Sequence, residues 1–198
     1  AVLFCFALAL GKERIGFDRE NELVKALLTL PRLMGEALKL EANLEQIAAR
    51  LSKKENAIFI GRGLMNPLAL EGALKLKEIS YIHAEGFAAG ELKHGSIALI
   101  EDDMPVITIA PKDAMYPKTI SNMQEVIARQ GDIILLTENP GNTDTDNITD
   151  LIFLPEIDPV LTPILYTIPL QLLAYHTAVA KGTDVDQPRN LAKSVTVE

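Results

Sequence analysis

Gly61-Arg62-Gly63-Leu64-Met65-Asn66-Pro67-Leu68-Ala69-Leu70-Glu71-Gly72-Ala73-Leu74-Lys75-Leu76-Lys77-Glu78-Ile79-Ser80 is the stretch that decides the fold. A short apolar run, Ala57-Ile58-Phe59-Ile60, precedes it and reads as a buried parallel strand. A glycine turn then opens a helix, with Asn66 as N-cap and Pro67 at the first helical position. Glu71, Lys75 and Glu78 fall at i, i+4 and i+7, so they share one helix face. Nearly everything else there is Leu, Ala or Ile, as expected of a helix buried on most sides. The charged stripe is then either a solvated face with weak internal ion pairs or a cleft wall at the carboxyl end of a parallel strand, where open α/β sheets bind ligands.

Working outward, 18–29 and 32–52 read as two helices with Pro31 marking the break. The segment 82–95 mixes glycines with ionisable groups, which suits a loop with a short helix, and 97–100 reads as a brief strand or turn. Strands follow at 105–110, 132–137 and 150–154. Helices span 117–130, stopped by Gly131, and 160–180, stopped near Gly182. Asn139-Pro140-Gly141-Asn142 is a turn leading into an exposed polar stretch. Strands alternating with helices predict an α/β fold, a parallel sheet covered on both faces.

Composition narrows the function. The 198 residues suffice for one α/β domain with some extra helix. A net charge of −8 without a Lys/Arg run argues against a nucleic-acid partner. A single cysteine, Cys5, excludes an internal disulfide and fits a reducing cytoplasm. One Cys and three scattered His offer no metal-ligand spacing. The apolar run at 1–10 is too short to span a bilayer and lacks the flanks of a signal peptide. It reads as the end of a buried helix belonging to something upstream, so the chain is expected to be a portion of a longer protein.

Acid/base work on carbon needs a group with a pKa near neutrality, and imine formation needs an amine able to lose its proton. The candidates are Glu78, Glu85 and Glu91, the imidazoles of His83 and His94, and the amines of Lys75, Lys93 and Lys193. His176, inside an apolar helix, is assigned to structure. The turns at 61–66 and 111–115 hold no Ser or Thr, so neither is an evident phosphate cradle. The terminal stretch Thr183–Glu198 has no periodicity; on composition alone it is an ordinary exposed chain end.

Three stretches change that reading: Ala69–Glu85 with its Leu-Glu-Gly-Ala-Leu-Lys-Leu-Lys-Glu core, Gly90-Glu91-Leu92-Lys93-His94-Gly95, and Gly182–Glu198 with Asp184-Val185-Asp186-Gln187-Pro188-Arg189-Asn190-Leu191-Ala192-Lys193. Together they resemble the glutamine–fructose-6-phosphate aminotransferase (isomerising) family, the glucosamine-6-phosphate synthases, and the resemblance covers essentially the whole chain. It implies a glutaminase domain followed by two sugar-isomerase (SIS) domains, each a three-layer αβα unit with a five-stranded parallel sheet, flavodoxin-like in style. Residues 1–16 would be the remnant of the last helix of the first SIS domain, 17–182 the second SIS domain and 183–198 a catalytic tail. The family's glutaminase nucleophile lies in a domain not matched here, so Cys5 does not inherit it.

The resemblance also implies roles. Glu78 corresponds to the carboxylate that moves a proton between C1 and C2, and His94 to the ring-opening histidine donated across a homodimer. Lys193 corresponds to the lysine forming an imine with fructose 6-phosphate. Glu71 and Lys75 would line the substrate site, and Arg189 would lie close to it. The expected partners are fructose 6-phosphate and glucosamine 6-phosphate, the glutaminase and first SIS domains, and a second copy of the chain, with no cofactor, metal, nucleic acid or membrane. The Ser/Thr phosphate loop would belong to the first SIS domain, leaving this portion with little activity alone. Three other functions are open: a non-catalytic sugar-phosphate-binding SIS module, a fructosamine deglycase, and a dimerisation platform. The unbroken 184–193 motif favours the synthase.

Overall fold

A computed structural model describes residues 1–139 and 145–191. In chain order the elements are α1 (Val2–Ile15), α2 (Phe17–Leu38), α3 (Glu41–Leu51), β1 (Asn56–Gly61), α4 (Met65–Ser80), β2 (His83–Ala88), two 3₁₀ segments (Ala89–His94 and Ser96–Leu99), β3 (Pro105–Ile109), α5 (Tyr116–Ile127), β4 (Asp132–Thr137), β5 (Asp150–Phe153) and α6 (Thr162–Lys181). The five strands form one parallel sheet in the order β2-β1-β3-β4-β5. The expected three-layer α/β architecture is present.

Strand side chains alternate between two cores, because successive residues point to opposite faces. Phe59, Ile107, Ile109, Ile134, Leu136 and Ile152 pack under α2, α3, α4 and α6. Ile58, Ile60, Val106, Ile133 and Leu135 pack under α5 and the first 3₁₀ segment. Both sets are buried, which is why the central strands read as continuous apolar runs.

Several local expectations change. Pro31 does not break a helix; α2 runs through it and the chain turns at Lys39–Leu40 instead. Leu23, Leu30, Leu33 and Ala37 form one buried stripe spanning Pro31, and that packing outweighs the hydrogen bond the ring removes. Asn66 is not the cap of α4, which begins at Met65 after Leu64 and makes no side-chain capping bond. Gln130, at φ 66°, takes the left-handed position after α5 that was expected of Gly131. The segment 97–100 lies mostly in a 3₁₀ turn and adds no strand.

The largest change is β2. Its residues were expected to form a loop, yet they pair along the whole of β1 as an edge strand. Gly86 carries the reason: a Cβ there would stand 2.7 Å from the backbone of Leu70. The glycine that looks like a loop residue is what lets α4 lie against the edge strand.

Candidate functional site

Helix α4 places the three stripe residues together. Lys75 Nζ donates to Glu78 Oε2 at 2.8 Å and lies 3.8 Å from Glu71 Oε1. All three are half-buried, between the packed face of the helix and an exposed face carrying Leu70 and Leu74. α4 is therefore less enclosed than its composition implied. The hydrogen bond to Glu78, ahead of smaller charge effects from Glu78 and Glu71, raises the Lys75 pKa above its ordinary 10.5. Lys75 thus stays an ammonium, suited to holding negative charge and unsuited to imine formation.

The stripe does not stand at the carboxyl ends of the strands. α4 runs antiparallel to β1, so Glu78, thirteen residues into the helix from Met65, lies about 20 Å further along its axis. That puts Glu78 beside the amino ends of β1 and β2, which start at Asn56 and His83.

The segment after α6 comes to the same end of α4. Thr183 Oγ1 donates to the Ile79 carbonyl at 2.6 Å. Asp184 Oδ1 accepts from the backbone N–H groups of Asp186 and Gln187, each at 2.9 Å, and so folds a tight turn. The Arg189 backbone N–H donates to Tyr81 Oη at 2.9 Å, and its guanidinium carbon lies 4.1 Å from the Tyr81 ring centroid. Residues 183–191 are therefore docked on the protein, unlike a frayed end. Lys193 lies outside the described residues.

His94 is elsewhere. Its 3₁₀ segment buries Ala89 and Leu92 in the core on the α5 face, so the sheet separates His94 from α4. The exposed His94 Nδ1 is 2.8 Å from Glu91 Oε2. That contact lowers the Glu91 pKa below 4.5, with smaller contributions from the charges of His94, Lys93 and Arg62. The structure thus brings Glu78 and Arg189 to one end of α4, with Lys75 and Glu71 running back from it along the same helix face, and leaves His94 on the other side of this chain.

The two remaining histidines have local partners. His83 lies 3.4 Å from Glu85 and 3.3 Å from Asn56, and Lys93 is exposed. His176 joins α6 to α3 by a 3.2 Å contact with Glu41, in keeping with a structural assignment. Arg62 Nε donates to the buried Asn122 Oδ1 at 3.0 Å, and its guanidinium covers Gly90. This occupies the turn after β1, where a ligand was considered. Among the described residues no group of His, Cys, Asp and Glu is arranged to hold a metal, and no helix is long and apolar enough to cross a membrane.

Sequence reasoning passed over Tyr81. Its φ of 60° puts it in the left-handed region at the C-cap of α4, where glycine is usual. An aromatic residue at the helix end nearest the charged stripe was the available signal.

The SIS domain family matches residues 50–181. The glutamine–fructose-6-phosphate aminotransferase (isomerizing) of Rhizobium meliloti is 57% identical over all of this chain, which covers 33% of that protein. The same-named protein of Brucella abortus is 56% identical over 97% of the chain. The chain thus spans about a third of the length of these relatives. Among solved structures, the C-terminal domain of the glucosamine-fructose-6-phosphate aminotransferase from Francisella tularensis superposes with a TM-score of 0.88. It is 45% identical, over 92% of this chain and 52% of that one.

Proposed function

The chain belongs to the SIS domain family, and from that premise we propose that it is the second isomerase domain of an enzyme making glucosamine 6-phosphate from fructose 6-phosphate and glutamine-derived ammonia. The observation that carries this reading is the meeting of two motifs at one end of α4. The Glu71–Lys75–Glu78 stripe ends there at Glu78, and the segment leading to Lys193 docks on Ile79 and Tyr81, within one turn of Glu78. A binding module would have no use for an imine-forming lysine.

The residues divide the work as follows. His94 assists ring opening, so that C2 becomes a carbonyl. The Lys193 amine adds to C2 and water leaves, giving an imine; ammonia then exchanges for the lysine. Glu78 takes a proton from C1 and returns it to C2, which leaves an aldehyde at C1 and the amine at C2. Lys75, held as an ammonium, offsets negative charge developing between the two carbons. Arg189 serves the tail, since its guanidinium is engaged with Tyr81.

His94 lies across the sheet from Glu78, so a complete site draws it from a second copy of the chain; a homodimer is part of the proposal. So are a first SIS domain that holds the phosphate, a glutaminase domain that supplies ammonia, a cytoplasmic location, and the division into 1–16, 17–182 and 183–198. The test is to incubate the 198-residue chain, and the same chain joined to the two upstream domains, with fructose 6-phosphate and borohydride, and to map adducts by mass spectrometry. An adduct on Lys193 in the joined protein alone is expected. Its absence from both would overturn the imine assignment. Its presence in the chain alone would overturn the split site.

A further inference from the structure

We propose that Tyr81 is a positioning residue, a latch that fixes the tail carrying Lys193 against the helix carrying Glu78. The inference rests on the functional reading above for the role of Lys193, and on the docked segment for the rest.

Tyr81 ends α4 and stands three residues after Glu78, one turn away along the same helix. Its backbone N–H closes the helix on the Lys77 carbonyl at 3.2 Å, and its φ of 60° turns the chain out of the helical path. The side chain makes two contacts with one tail residue. The hydroxyl oxygen accepts from the Arg189 backbone N–H, and the ring face carries the Arg189 guanidinium. Thr183 on the Ile79 carbonyl and the turn closed by Asp184 fix the tail upstream of that point. Among the described residues, Tyr81 is therefore the last side chain outside the tail to anchor it before the lysine.

Covalent reach gives the latch its meaning. Lys193 follows Arg189 by four positions, so its Cα stays within about 14 Å of the Arg189 Cα. With Arg189 held on Tyr81, four residues of chain tether the lysine to an anchor at the end of α4. With Arg189 released, the confinement relaxes to the anchor at Thr183, ten positions from Lys193, or about 35 Å of chain. A lysine that must meet a substrate carbon beside Glu78 gains from the shorter tether, because orientation is much of what catalysis supplies. Tyr81 need not touch the substrate for this.

Two variants separate the contacts. Tyr81→Phe removes the acceptor and keeps the ring; Tyr81→Leu removes both. In the 198-residue chain, amide hydrogen exchange of 183–191 is expected to speed up by about tenfold in Tyr81→Leu and by less in Tyr81→Phe, with α4 interior amides unchanged. In the chain joined to its upstream domains, borohydride trapping at Lys193 and kcat are expected to fall in the same order, while the KM for fructose 6-phosphate is retained. Unchanged exchange and unchanged trapping in Tyr81→Leu would overturn the latch. A fall in KM affinity without loss of trapping would also overturn it and make Tyr81 a substrate-binding residue. If the unsubstituted protein gives no Lys193 adduct, the functional reading fails, and the exchange rates still decide whether Tyr81 holds the tail.

Discussion

Lys75 and Glu78 sit one turn apart, joined by a 2.8 Å hydrogen bond, with Glu71 3.8 Å away on the other side of the ammonium. In the joined protein, Glu78→Gln is expected to lower kcat on the order of 10²- to 10⁴-fold, because an amide cannot carry the proton between carbons. Lys75 keeps Glu71 as a partner, so thermal unfolding of the variant is expected to stay close to that of the parent; a large drop in Tm would mark the pair as structural. The other ion pair of interest reports through pH. Glu91 is held below its ordinary 4.5, first by the His94 hydrogen bond. A carboxyl depressed in the folded state adds stability that is present above pH 4.5 and lost as the pH falls through the depressed value. His94→Ala is accordingly expected to move the Glu91 titration, followed by carboxyl NMR, up toward 4.5. No movement would mean the contact does not persist in solution.

Two elements show how far sequence reading reaches. Central strands such as 105–110 and 132–137 were legible because both of their faces are buried and their residues run apolar without interruption. β2 was not legible, because it is an edge strand with ionisable side chains at His83 and Glu85, and because Gly86 answers to α4 and to no turn. Gly86→Ala is expected to destabilise the fold by about 1–3 kcal/mol, read from chemical denaturation, since backbone cannot give way as a side-chain tip does. Helix α2 teaches the opposite lesson. Pro31 carries the local signal of a break, and the buried stripe from Leu23 to Ala37 overrides it. Pro31→Ala restores a backbone donor in mid-helix and is expected to raise stability by about 1 kcal/mol or more, with an unchanged denaturant slope. A loss of stability would mean that the helix depends on the distortion the ring imposes. The charged stripe was legible as a set of residues through helical spacing, but the place of its Glu78 end beside the amino ends of the strands was not. That depended on the direction of α4 and on a tail docked through a tyrosine that no periodicity singled out.

At the scale of the molecule, α1 stands apart from the sandwich. None of its residues is buried, and Val2, Leu3, Phe6 and Leu10 are 63–83% exposed. Neither core includes it. An apolar helix in this condition contributes little to the stability of the body that carries it, and it presents surface that associates readily. Under the proposed domain division it packs against the preceding SIS domain. Starting the chain at Phe17 is therefore expected to leave the Tm within about 2 °C of the parent, a shift corresponding to at most about 1 kcal/mol for a domain of this size. The same truncation is expected to reduce self-association in sedimentation velocity at high concentration. The two measurements divide the possibilities cleanly. A fall in Tm of many degrees would place α1 inside the cooperative unit of this domain. A stable, fully monomeric parent chain would remove the reason to assign that apolar face to a neighbouring domain.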